Sequence, residues 1–130
     1  TTGNTIKRAC SERAVHNRLT EEWTSDIASF CRPEVGPPHV DDPSEYVRMS
    51  PVHQVRDITV PMLLIHSEQD LRCPISQAEE LWVAMKLLGK DVTFYRFPGE
   101  THELTRSGSP VHRVQRAALL LDWFADRLAG

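Results

Sequence analysis

At 130 residues, with 40% apolar and 25% charged residues, the chain has the length and composition of one folded domain able to bury a core, not of a disordered segment. A formal net charge of −3 removes the electrostatic case for nucleic acid, and no apolar run is long enough to span a membrane. Cys10, Cys31 and Cys73 are odd in number, widely spaced and without a CxxC pair, so they read as reduced thiols in a cytoplasmic protein.

The chain starts at Thr1 without an initiator Met, as a processed, cloned or partial chain does. No signal-peptide, lipidation or repeat pattern is visible. Ile6 to Ser11 is predicted as a short strand, and Ser11 to Leu19 as a capped turn or short helix. Trp23, Ile27 and Phe30 recur at helical spacing over Thr20 to Phe30. Arg32 to Pro43 holds Pro33, Pro37, Pro38 and Pro43, a density that predicts loop. Asp42-Pro43-Ser44-Glu45 opens a helix through Met49, with Asp42 as cap, Pro43 at its first position and Glu45 completing a capping box; Ser50-Pro51 ends it. Val52, Val55 and Ile58 lead into Met62 to Ile65, apolar without alternation, as in a parallel strand covered on both faces. Pro61 can open that strand but could not sit in its middle. Ile75, Ala78, Leu81, Trp82, Met85 and Leu88 form an amphipathic helix stopped by Gly89. Asp91 to Phe97 is β-branched and aromatic, a second strand. From Pro110 to Ala129, Val111, Val114, Ala118, Leu121, Phe124 and Leu128 make one stripe of a closing helix, with Trp123 widening it toward the core.

The order strand, helix, strand, helix from Val60 implies a parallel sheet. Its polar loops, after Ile65 and after Phe97, both follow carboxyl ends of strands and open on one edge, where such sheets keep their chemistry. Asp70 lies on the first loop and His102 on the second. Asp70 reads either as a turn or capping residue or as a functional carboxylate. A carboxylate followed by a histidine on the next strand-end loop fits the latter part of the Ser, Asp, His order of α/β-hydrolases. The chemistry needs that trio: a serine hydroxyl attacks only when imidazole takes its proton, and a buried carboxylate fixes the imidazole tautomer.

Three stretches carry a resemblance: His66-Ser67-Glu68-Gln69-Asp70-Leu71-Arg72-Cys73-Pro74, then Arg96-Phe97-Pro98-Gly99-Glu100-Thr101-His102-Glu103-Leu104, then Arg106-Ser107-Gly108 with His112-Arg113. They resemble the C-terminal part of the hydrolase domain in acylaminoacyl peptidases of the prolyl oligopeptidase family of serine peptidases. The resemblance covers essentially the whole chain. It implies that residues 1–130 are the C-terminal portion of an α/β-hydrolase fold, a parallel sheet flanked by helices. It further implies that Asp70 is the triad acid, His102 the base, and Arg72 a ligand for a carbonyl of a peptide substrate. No metal or organic cofactor is implied. None of the serines here has glycine two before and two after it, so the Gly-x-Ser-x-Gly elbow is expected upstream, with the family's β-propeller. The expected partners are a short or N-acylated peptide and the N-terminal remainder of the same enzyme, and a homo-oligomer is left open. The isolated segment is expected to be inert and to expose faces on which the missing part packs. The rival reading is a non-catalytic α/β module that binds a partner.

Other residues read more plainly. His16, His39, His53 and His66 show no metal spacing and suit surface or satisfied core positions. His102-Glu103-Leu104-Thr105 lacks the second histidine of a zinc-protease helix. Glu100 and Glu103 either orient the loop around His102 or face water, and His112 reads as surface. Cys73 reads as a buried inert thiol. Trp82, Trp123, Phe94 and Phe97 read as core.

Overall fold

A computed structural model describes residues 6–28 and 32–125. Three parallel strands, β1 (Ala9–Glu12), β2 (Met62–Ser67) and β3 (Val92–Phe97), form a sheet in that order. Ala9 pairs with Met62, and Met62 with Val92; at the carboxyl end Ser67 pairs with Phe97. Every residue of β2 is buried, which explains why its sequence is apolar without alternation. Pro61 precedes the strand, where its missing N–H costs nothing, and its carbonyl accepts from the Ala9 amide at 3.0 Å.

The helices follow in chain order: α1 (Arg18–Thr24), α2 (Arg32–Val35), α3 (Ser44–Arg48), a 3₁₀ segment (Pro51–Asp57), α4 (Ser76–Leu87), α5 (Leu104–Ser107) and α6 (Pro110–Ala125). Leu64 points to one side of the sheet, into a core with Val55, Leu81, Met85 and Val92. Leu63 and Ile65 point to the other, with Phe97 and Leu104, backed by Leu119, Leu120 and Trp123. The sheet is therefore sandwiched between α4 and α6. Burying a leucine of this kind contributes about 1.5–3 kcal/mol.

Several expectations are corrected. The first strand is shifted to Ala9–Glu12, and Ser11 caps nothing; its hydroxyl meets His16 Nε2 at 2.8 Å. The next helix starts at Arg18, capped by Asn17, and ends at Thr24, leaving Trp23 65% exposed; Phe30 and Cys31 lie outside the described residues. Arg32–Val35 is one helical turn despite the prolines, because Pro33 stands in the first turn, where no N–H is required. Asp42 Oδ1 does accept the Ser44 amide at 2.9 Å, but Glu45 pairs with Arg48 instead of closing a capping box. The stretch after Ser50 is a 3₁₀ segment, and residues 104–107 add a turn of helix between the loop that ends at Glu103 and the closing helix. The largest correction concerns α6. The described part of its predicted stripe faces outward: Val111, Val114, Leu121 and Phe124 are exposed, while Leu119, Leu120 and Trp123 cover the sheet; Leu128 and Ala129 lie outside the described residues. This helix carries two apolar faces, and periodicity alone does not say which one meets its own sheet.

Candidate active site

β2 delivers Asp70 to the edge of the sheet. After Ser67 the chain turns, and Asp70 is 2% exposed. Its Oδ1 accepts the amides of Arg72 and Cys73, each at 2.9 Å, a side-chain-built turn. Its Oδ2 meets His102 Nδ1 at 2.8 Å. One carboxylate oxygen thus builds the turn, and the other faces the histidine. An ionised carboxylate only accepts, so His102 Nδ1 is the donor in this contact, and in a neutral ring Nε2 is then the atom with the lone pair. The imidazole stays 24% exposed while the carboxylate is sealed.

The two loops are tied to each other by backbone. Glu68 N donates to Phe97 O at 3.0 Å and Gln69 N to Glu100 O at 2.9 Å. Gly99, at φ +69°, takes the left-handed turn that brings the chain back. Glu100 is buried rather than facing water. Its Oε1 accepts the Ser109 amide at 3.0 Å and His112 Nδ1 at 2.6 Å, which ties the histidine loop to the start of α6. His112 holds this carboxyl below the usual range. His112 is therefore no idle surface residue, whereas Glu103 is partnered by Arg106 near the surface. The spacing Glu100-x-His102 with His112 downstream carries no general signal for such a clasp.

His66 lies beneath the pair. Its Nε2 is 2.6 Å from the Cys73 carbonyl and 3.5 Å from Asp70 Oδ2, and Nδ1 has no partner among the described residues. Burial pushes its pKa down, so a neutral ring donates from Nε2. His16 is a satisfied core residue, its amide received by Gln77 Oε1 at 3.0 Å. Arg72 lies two residues beyond Asp70. Its Nε donates to Asp26 Oδ1 at 2.7 Å, and its carbonyl accepts from Ser25 Oγ at 2.6 Å, so the segment after α1 orients it.

A residue the sequence did not single out completes the set. Arg13 follows β1, its amide donating to Ile65 O at 3.0 Å and its Nη1 to the His102 carbonyl at 2.9 Å. Among the described residues it is the one non-glycine with positive φ, +43°. That conformation costs about 1–2 kcal/mol for a residue with a Cβ.

Cys10 and Cys73 form no disulfide, and burial pushes the Cys10 thiol up to about 11. Among the described residues no group of three or more His, Cys, Asp or Glu side chains is placed to hold a metal, and no helix is long and apolar enough to cross a membrane.

Comparison with known proteins agrees with this architecture. The model of the prolyl oligopeptidase family matches residues 2–130. An uncharacterized peptidase of Bacillus subtilis (strain 168), YuxL, is 33% identical over 126 residues, which are 96% of this chain and 19% of that protein. The acylamino-acid-releasing enzyme of Mus musculus is 30% identical over 105 residues, 75% of this chain and 14% of that protein. The solved acylaminoacyl peptidase of Pyrococcus horikoshii superposes with a TM-score of 0.89 at 31% identity, over 95% of this chain and 20% of that one. The chain thus spans a fifth or less of the length of each of these three relatives. Matched along almost its full length and built as part of an α/β-hydrolase sheet, this chain belongs to the prolyl oligopeptidase family.

Proposed function

We propose that this chain is the C-terminal catalytic-domain segment of a serine peptidase of the acylaminoacyl peptidase type, supplying the acid and base of a Ser-Asp-His triad. The observation that carries the reading is the 2.8 Å contact between the sealed Asp70 Oδ2 and His102 Nδ1. A binding module without chemistry has no need for that contact.

In this reading the serine comes from upstream sequence. His102 Nε2, left as a lone pair by the Asp70 bond, takes the serine proton as the hydroxyl attacks the peptide carbonyl. The imidazolium so formed is stabilised by the neighbouring carboxylate and hands its proton to the leaving amine. A second cycle, with water in place of serine, releases the acyl group. Arg72, held out from the acid loop by Asp26, offers its remaining N–H groups to a substrate carbonyl or an anionic end group. The substrates are short peptides, N-acylated ones among them, in keeping with the names of the relatives.

The test is fluorophosphonate labelling of the full-length protein, read by intact mass, with His102→Ala beside the wild type. Labelling of one serine in the wild type and its loss in the variant is the expected result. Equal labelling of both removes His102 as the base.

A further inference from the structure

We infer that Arg13 is a positioning residue for the catalytic base: it holds the backbone of His102 from the neighbouring strand. This deepens the triad reading and rests on it. The first observation is the bond itself. His102 sits on a loop, and Asp70 fixes only its Nδ1. Loops move unless something over-determines them. The Glu100 clasp fixes the loop two residues before His102. The Arg13 guanidinium, reaching over from the end of β1, fixes the His102 carbonyl itself at 2.9 Å. Side chain and backbone of the histidine are then each held by a charged partner from a different strand end.

The second observation is the backbone of Arg13. At φ +43° glycine would be the comfortable residue, yet an arginine stands there. Strain of this kind persists where the surroundings over-determine it, and it gathers at functional sites. The surroundings do so here. Glu12 is gripped by Arg116 of α6, with Nη2 to Oε2 at 2.5 Å. Arg13 N is bonded to β2 at Ile65 O, 3.0 Å away. His16, three residues on, is pinned to Gln77, with Nδ1 3.0 Å from its carbonyl. The left-handed residue between these anchors puts the guanidinium on the histidine loop. Arg13 touches no reacting atom, so its effect runs through His102.

The test compares Arg13→Gly, Arg13→Ala and His102→Ala in the full-length protein. Glycine removes both the strain and the guanidinium, whereas alanine removes only the guanidinium. Misplacement of a catalytic group by about 1 Å costs up to about a hundredfold, so both Arg13 variants should lose about ten- to a hundredfold in kcat, with KM changed less than about twofold. The thermal midpoint of Arg13→Gly should stay at or above wild type, and guanidinium ion at millimolar concentration should restore part of the lost kcat in Arg13→Gly. Wild-type kcat in both Arg13 variants beside an inactive His102→Ala overturns this inference and spares the triad. A fall in thermal midpoint of Arg13→Gly without guanidinium rescue marks a merely structural arginine and overturns it too. An active His102→Ala takes down the triad reading and this inference together.

Discussion

Replacing Asp70 by asparagine tests the tautomer argument at the level of single atoms. The two side chains are nearly isosteric, so the amide fits the same space and the fold is kept. Its oxygen must choose a side. On the Oδ1 side wait two backbone amides, Arg72 N and Cys73 N, each 2.9 Å away. On the Oδ2 side waits His102 Nδ1 at 2.8 Å, with His66 Nε2 farther off at 3.5 Å. Turning the NH2 toward two backbone donors leaves both unpaired, at about 1–3 kcal/mol each. The oxygen therefore stays with the backbone, and the NH2 faces His102. A donor there requires a lone pair on Nδ1, which moves the imidazole proton to Nε2, where the serine proton should go. The preference of about 2–6 kcal/mol amounts to roughly thirtyfold to twenty-thousandfold at about 1.4 kcal/mol per decade. The assay is kcat on a short N-acylated peptide with the full-length Asp70→Asn variant, beside its thermal midpoint. The expected outcome is a kcat lowered within that range and a midpoint close to wild type. A stable variant with kcat within about threefold of wild type refutes the argument.

Gly108→Ala should destabilise although its backbone suits alanine, because a Cβ would lie 2.5 Å from the Leu104 carbonyl oxygen and 2.6 Å from Glu100 Oε2. The loss should be about 1–3 kcal/mol by denaturant titration, and an unchanged midpoint would show that the α5–α6 turn gives way freely. Glu100 has a carboxyl pKa depressed in the folded state, so its clasp adds stability above the unfolded value of 4.5 and loses it as pH falls through the lower native value. Glu100→Gln should therefore flatten the acid limb of a melting-temperature profile, and an acid limb identical to wild type would show that the clasp does not contribute. Arg72→Ala should raise KM about ten- to a hundredfold, the loss of a charged hydrogen bond, with kcat little changed. Wild-type KM on several peptides would remove its substrate role.

The parts legible in the sequence are those governed by local rules. The apolar run ending in Asp70, the helix closed by Gly89 and the β-branched strand before Pro98 each announce themselves by composition and punctuation. Together they dictate a parallel unit whose loops share one edge, which is why Asp70 and His102 could be paired on paper. The residues whose roles are not legible depend on what lies across the fold. Glu100 looks solvated until Ser109 and His112 are folded back onto it. Arg13 looks like any loop arginine, because its partner is a backbone carbonyl, which leaves no trace in residue type. The outward stripe of α6 has a helical period as sound as the inward one.

The bonds of the histidine loop also differ in how much chain they close, and that orders their formation. The Asp70–His102 contact spans 32 residues and lies inside one contiguous β-α-β stretch. The Arg13–His102 contact spans 89. Closing the longer loop costs only about 0.9 kcal/mol more by chain entropy, but it must also await the docking of β1 on β2. Asp70 and His102 can thus meet as a nearly local event, and the bond from Arg13 arrives last. In native-state hydrogen exchange the Arg13 amide should open at lower free energy than those of Leu64 and Phe94, so the segment around Arg13 frays before the pair it braces.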